Sequence, residues 1–134
     1  MKKIIMLLYI LAVTTQAGFC PNREKELIIV ASEPIKPYQR LIYAVGMVES
    51  SLDTLAYNPV EKATGYFQVR PIRLKDFNDR TGKKYKLGDM YDYYKAEEVF
   101  LYYATLDLEK TAKAWNGSGY KTEKYWQKVK KYLQ

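Results

Sequence analysis

Apolar residues recur at intervals of three and four residues early in the chain, which is the spacing of one helix face. In the segment that begins near Tyr38, this face consists of Leu41, Ile42, Val45 and Val48. The pattern predicts a helix that packs against a core and ends close to Glu49. Because a helix C-terminus carries partial negative charge, a carboxyl there is expected to have a raised pKa.

A short helix and a longer one are predicted further along. Pro71 suits the first turn of the short helix, and Thr81-Gly82 suits its end. The longer helix is predicted to start near Met90. Its apolar face consists of Ala96, Phe100, Tyr103 and Ala104.

The pattern of the C-terminal part predicts two more helices, one before and one after a glycine-rich turn. One covers 110–115, and the other begins at Thr122, a residue that can cap a helix. The segment 51–64 contains Asn58-Pro59 and shows no sustained period, so an irregular loop is predicted there. Several helices with little or no strand and no internal repeat indicate one small, mainly α domain.

The N-terminus has the pattern of an export signal. Lys2 and Lys3 precede an apolar run over 4–13, which is short for a membrane-spanning helix. The predicted cleavage follows Ala17, which gives a signal peptide (1–17), a proline-containing lead-in (18–37) and a domain (38–134). An uncleaved N-terminal anchor is the alternative.

Cys20 is the only cysteine, so an intramolecular disulfide is impossible in any compartment. Its position just after the apolar run raises the alternative of a lipid anchor, although Phe19 is bulky where a lipoprotein peptidase prefers a small residue. The preferred interpretation is a free thiol near the start of an exported protein of the periplasm or cell envelope.

Three short motifs follow the first predicted helix. They are Glu49-Ser50-Ser51-Leu52-Asp53, then Gly65-Tyr66-Phe67-Gln68, then Ala114-Trp115-Asn116-Gly117. In this order they resemble the catalytic domain of soluble lytic transglycosylases, the lysozyme-like enzymes that cut bacterial peptidoglycan. The resemblance extends from about Tyr38 to Leu133 and implies a small lysozyme-like helical domain with a cleft.

The resemblance implies a single catalytic carboxyl, Glu49. It would protonate the leaving oxygen and then, as a carboxylate, take the proton from the muramyl C6 hydroxyl. That hydroxyl attacks the anomeric carbon, which yields 1,6-anhydro-muramyl ends without water. The implied substrate-binding residues are Ser50, Gly65, Tyr66, Gln68, Tyr103, Trp115 and Asn116.

Several of these residues carry a specific expectation. Gln68 would bond the acetamido region of a sugar, Gly65 would let the backbone approach the glycan, and Ser50 would position site groups. Fourteen tyrosines are present, and Tyr66 and Tyr103 are the candidates for stacking on sugar rings. The other tyrosines are expected to pack in or against the core.

Trp115 departs from the family pattern, in which a tyrosine phenol bonds the catalytic glutamate. Three outcomes remain open from the sequence. The indole N–H takes over, Tyr103 or Tyr120 supplies a hydroxyl, or the glutamate is held less firmly.

Three alternative functions remain beside a lytic transglycosylase. A lysozyme-type hydrolase would use water with Asp53 or Glu61 as a second carboxylate. A catalytically inactive wall-binding protein would serve a secretion or conjugation apparatus. An exported helical domain with accidental motif matches is the third.

The basic charge fits a polyanionic partner. The formal charge of +7 falls to +5 when Lys2 and Lys3 are removed with the signal peptide. For an exported protein, peptidoglycan strands fit this charge better than nucleic acid. The protein is expected to be a monomer, and a secretion or conjugation machine is a further candidate partner. With no histidine and one cysteine, no metal or other cofactor is expected.

Overall fold

The computed structural model describes residues 37–133, except for the side chain of Pro37. The predicted signal peptide, Cys20 and the rest of the lead-in up to residue 36 lie outside the described residues. Within 37–133, no helix is long and apolar enough to cross a membrane.

Five α-helices, one 3₁₀-helix and a two-stranded hairpin make up the described part of the chain. In chain order they are α1 (Pro37–Ser50), β1 (Tyr57–Asn58), β2 (Ala63–Thr64), α2 (Pro71–Thr81), the 3₁₀-helix (Leu87–Tyr91), α3 (Tyr93–Tyr102), α4 (Leu108–Asn116) and α5 (Lys121–Lys130). The prediction of a mainly helical domain is confirmed.

Helix α1 packs against α4 and α5 through the face predicted from its periodicity. Leu41 and Val45 are fully buried on this face, and Val129 of α5 is fully buried in the same core. The helix ends where Ser51 and Leu52 take positive φ angles of 56° and 68°. Glu49 therefore lies in the last turn of α1, as predicted.

The segment predicted to be an irregular loop contains a small hairpin. Tyr57 pairs with Thr64 and Asn58 with Ala63 in an antiparallel register. The Asn58 side chain accepts hydrogen bonds from the backbone N–H groups of Val60 and Glu61, which stabilises the turn. Such a hairpin is hard to identify from sequence periodicity because each strand has only two residues.

The long helix predicted from Met90 starts later and ends earlier than expected. Met90 belongs to the 3₁₀-helix, and Asp92 caps α3 by accepting hydrogen bonds from the N–H groups of Tyr94 and Lys95. Tyr103 follows the last residue of α3. The cap explains the difference because an extended backbone at Asp92 separates the two helices.

The ends of the other helices depend on local bonds. Helix α2 begins at Pro71 and ends before Gly82, as predicted, with Gly82 in the left-handed region. The predicted cap Thr122 instead lies inside α5, where its hydroxyl donates to the Gly119 carbonyl.

Candidate functional site

A polar cleft of about 340 Å³ lies at the C-terminal end of α1. Its volume is within the range of about 300–1,000 Å³ that is common for ligand sites. Glu49 lines the cleft, together with side chains from the hairpin, the start of α2 and the α4–α5 connection. Four separate parts of the chain therefore meet around one carboxyl.

The Glu49 carboxyl is mostly withdrawn from solvent. Burial raises its pKa from 4.5 to about 7, while the hydrogen bond from Tyr125 and the charge of Arg70 oppose the rise. The charge of Glu61 raises the pKa further. A carboxyl with a pKa near 7 can both give and take a proton at neutral pH.

Tyr125 of α5 holds the glutamate in place. Its hydroxyl donates a 2.7 Å hydrogen bond to Oε1 of Glu49. The tyrosine is 7% exposed, and burial, followed by the charge of Glu49, raises the pKa of its phenol. The phenol therefore remains a hydrogen-bond donor when the glutamate is ionised.

Tyr125 was missed as a site residue because it belongs to the apolar face of the last helix. The expected donors were the Trp115 indole, Tyr103 and Tyr120, and none of the three contacts the glutamate through a hydrogen bond among the described residues. Tyr120 is 77% exposed at the start of α5. The available signal was a hydroxyl on an otherwise buried helix face.

The Trp115 indole supports the glycine motif. Its Nε1 donates to the Phe67 carbonyl oxygen at 3.0 Å, and its ring packs edge-on against Phe100. Trp115 also lines the cleft, although only 5% of it is exposed. Asn116, the next residue, lines the same cleft.

Gln68 lines the cleft in a strained backbone conformation. Its φ is +49°, and its Nε2 donates to the carbonyl oxygens of Ala56 and Gly65 at 3.2 and 3.0 Å. These two bonds fix the amide plane of the Gln68 side chain.

Gly65 is required by packing rather than by an approach to a ligand. Its φ is +76°, and a Cβ at this position would lie 1.9 Å from the Met90 carbonyl oxygen. The glycine does not line the cleft. The close backbone approach expected at Gly65 is therefore an approach to the 3₁₀-helix.

Ser50 connects α1 to the glycine motif. Its hydroxyl lies 2.8 Å from the Tyr66 carbonyl oxygen and 3.2 Å from that of Gly46. Ser50 thus fixes the backbone of the glycine motif at Tyr66 without lining the cleft itself. This arrangement agrees with a positioning role.

The two tyrosines expected to stack on sugars lie elsewhere. Tyr66 is 8% exposed, and its ring packs so closely on Gly46 that a Cβ there would lie 2.2 Å from it. The Tyr103 hydroxyl donates to Asp76 at 2.7 Å. Neither Tyr66 nor Tyr103 lines the cleft. Their side chains complete the packing around the site.

The two candidate second carboxylates differ in position. Asp53 accepts a hydrogen bond from the Leu55 N–H and closes a turn, and it does not line the cleft. Glu61 lines the cleft and is exposed. Glu61 is thus the carboxylate that shares the cleft with Glu49.

In the described part of the chain, no group of three or more histidine, cysteine, aspartate or glutamate residues could hold a metal ion. Comparison with known proteins does not add to this description. No family model matches the chain, and neither a curated protein nor a solved structure matches it.

Proposed function

We propose that the protein is an exported lytic transglycosylase that cleaves the β-1,4 bond between N-acetylmuramic acid and N-acetylglucosamine in peptidoglycan. The observation that carries the proposal is the state of Glu49. Its pKa is raised to about 7 in a polar cleft, and Tyr125 holds its carboxyl in place. A carboxyl of this kind can serve as an acid and then as a base in one turnover.

In the first step, protonated Glu49 gives its proton to the glycosidic oxygen, and the bond from that oxygen to the muramyl C1 breaks. In the second step, the muramyl C6 oxygen bonds to C1, and its proton passes to the Glu49 carboxylate. The glutamate is thereby restored to its starting form. Water is not consumed, so the product is one water lighter than a hydrolysis product.

The fixed neighbours of Glu49 support the order of these steps. The Tyr125 hydroxyl donates to the carboxylate that forms after the first proton transfer, and Arg70 stabilises the same charge. Burial favours the protonated form needed at the start. The two forms are therefore closely balanced near neutral pH.

A lysozyme-type hydrolase is the second candidate because Glu61 lines the same cleft. In that reaction Glu61 would activate a water molecule or stabilise the charged sugar while Glu49 acts as the acid. Exposure of Glu61 and its location in a hairpin turn favour the first proposal, since a second catalytic carboxylate is normally held firmly.

The test is digestion of purified peptidoglycan by the protein, followed by mass spectrometry of the soluble fragments. We expect anhydro-muramyl ends from the wild type, none from Glu49→Gln, and nearly wild-type release from Glu61→Gln. Glu109→Gln, the same chemical change at a surface ion pair, is the matched control.

Reducing ends that disappear in Glu61→Gln would instead establish a hydrolase. Absence of soluble fragments, combined with tight binding to the intact wall, would indicate a wall-binding protein without catalysis.

A further inference from the structure

Three basic side chains line the same cleft as Glu49. They are Arg70, Arg73 and Lys121, and the acidic residues that line the cleft are Glu49 and Glu61. Because the pKa of Glu49 is about 7, its carboxyl is largely uncharged below neutral pH. The cleft then has a net positive charge, which an anionic ligand would complement.

The two arginines are held at the C-terminal end of α4. Nη2 of Arg70 donates to the Asn116 carbonyl oxygen at 2.6 Å, and Nη2 of Arg73 donates to that of Ala114 at 2.9 Å. Cations at this end stabilise a helix, which gives both residues a structural role. The side chains are thereby fixed before any ligand arrives.

The structural role leaves most of each guanidinium unused. Among residues 37–133, the side-chain hydrogen bonds of Arg70 and Arg73 all involve Nη2. The Nε–H and Nη1–H groups therefore have no acceptor within this part of the protein. A guanidinium presents parallel N–H groups that match the two oxygens of a carboxylate.

A bound anion would further stabilise the charged form of the Arg73 guanidinium. Its guanidinium lies 4.8 Å from the Tyr103 ring centroid and 5.0 Å from that of Trp115. Burial lowers the pKa of Arg73 most, Tyr103 and the charge of Asp76 raise it, and repulsion by the neighbouring charge of Arg70 lowers it. A bound carboxylate between the two arginines would offset this repulsion.

We infer that Arg70, Arg73 and Lys121 together form the subsite that binds a carboxylate carried on the glycan. This inference rests on the proposed function because it identifies the substrate of that same cleft. Two carboxylates could occupy the subsite: that of the lactyl group on muramic acid, and those of the peptide attached to it. Chitin carries neither.

The experiment measures binding by calorimetry to the Glu49→Gln protein, so that cleavage does not interfere. The probes are a peptide-bearing peptidoglycan tetrasaccharide, the same sugar without its peptide but with a free lactyl carboxylate, and chitotetraose. We expect chitotetraose to bind at least about tenfold more weakly than the better acidic probe, as charge-assisted hydrogen bonds imply.

Charge-removing variants in the Glu49→Gln background identify the residues. Arg73→Gln should raise the dissociation constant of the preferred acidic probe about tenfold, and exposed Lys121→Gln should raise it about threefold. Arg73→Lys should recover part of the loss. Lys124→Gln, an exposed lysine of the same helix that does not line the cleft, is the matched control and should bind as tightly as its parent.

Preference for the peptide-free probe would assign the subsite to the lactyl group, and preference for the peptide-bearing probe would assign it to the peptide; both support the inference. Equal binding of all three probes would overturn it, as would Arg73→Gln and Lys121→Gln variants that behave like Lys124→Gln. The proposed function fails separately, if the wild-type protein binds these probes without producing anhydro-muramyl ends.

Discussion

The Glu49 carboxyl should lower the stability of the folded protein above neutral pH. The folded state keeps the proton up to about pH 7, whereas the unfolded chain releases it near its ordinary pKa of 4.5. Because the folded state binds the extra proton, the free energy of unfolding falls as the pH rises between these values. At higher pH the fold must hold a buried negative charge.

Glu49→Gln should therefore stabilise the protein at pH 8, by up to about 3 kcal/mol, and leave it nearly unchanged at pH 4. Urea unfolding of both proteins at the two pH values measures the difference. Glu109→Gln controls for a general effect of removing a negative charge. A Glu49→Gln advantage of the same size at both pH values would contradict the raised pKa.

Tyr125 should control both the rate and the pH dependence of the proposed reaction. Its hydrogen bond lowers the pKa of Glu49, so Tyr125→Phe should raise that pKa and move the alkaline decline of kcat/KM above pH 7. The rate constant kcat should fall about tenfold because the carboxylate loses a charge-assisted hydrogen bond, while KM changes little. The measurement is release of soluble fragments from pH 5 to 9.

Tyr120→Phe is the matched control, since it removes the hydroxyl of a 77% exposed tyrosine at the start of the same helix. It should reproduce the wild-type profile. A Tyr125→Phe profile that keeps its midpoint near pH 7 would show that the tyrosine does not influence the glutamate.

At the scale of the elements, the glycine motif is fixed by its contact with the 3₁₀-helix. A Cβ on Gly65 would lie 1.9 Å from the Met90 carbonyl oxygen, and Gly82, with nearly the same φ of +74°, has nothing within 4 Å. Gly82→Ala should cost about 1 kcal/mol for backbone strain alone. Gly65→Ala should cost several times more, since buried backbone must also move apart.

Thermal unfolding of the two alanine variants separates these contributions. Equal losses of stability would mean that the motif can shift without cost. If Gly65→Ala still folds, the displaced loop should also reduce fragment release, because Gln68 bonds the Gly65 carbonyl oxygen.

The sequence predicted those elements whose signals are local. Helix α1 was predicted because its apolar positions recur every three or four residues. The end of α2 was predicted because a glycine follows it. The predicted start of α3 near Met90 was wrong, because the Asp92 cap interrupts an apolar periodicity that continues across it. Local patterns therefore find helices more accurately than their boundaries.

The missed features of the site depend on contacts between distant parts of the chain. The bond between Tyr125 and Glu49 joins residues 76 positions apart, and only the packing of α5 against α1 brings them together. Periodicity places Tyr125 in the core and gives no information about its hydroxyl. The same limit applies to Gly65, whose close neighbour, the Met90 carbonyl oxygen, belongs to the separate 3₁₀-helix.

At the scale of the whole molecule, the described core is built from residues between Leu41 and Val129. All five α-helices contribute buried side chains to it, including Phe77 from α2, Phe100 from α3 and Trp115 from α4. Because one continuous core joins the helices, they are expected to unfold together.

A chain that begins at Lys36 should therefore fold by itself, with a helical circular dichroism spectrum and one cooperative thermal transition. Phe100→Ala in this fragment should lower its stability by about 3–5 kcal/mol, because the fully buried ring stacks on Phe67 at the centre of the core. If the fragment lacks a cooperative transition, residues before Lys36 must contribute to the fold. If it folds and releases anhydro-muramyl fragments, the same 99 residues are sufficient for the proposed reaction.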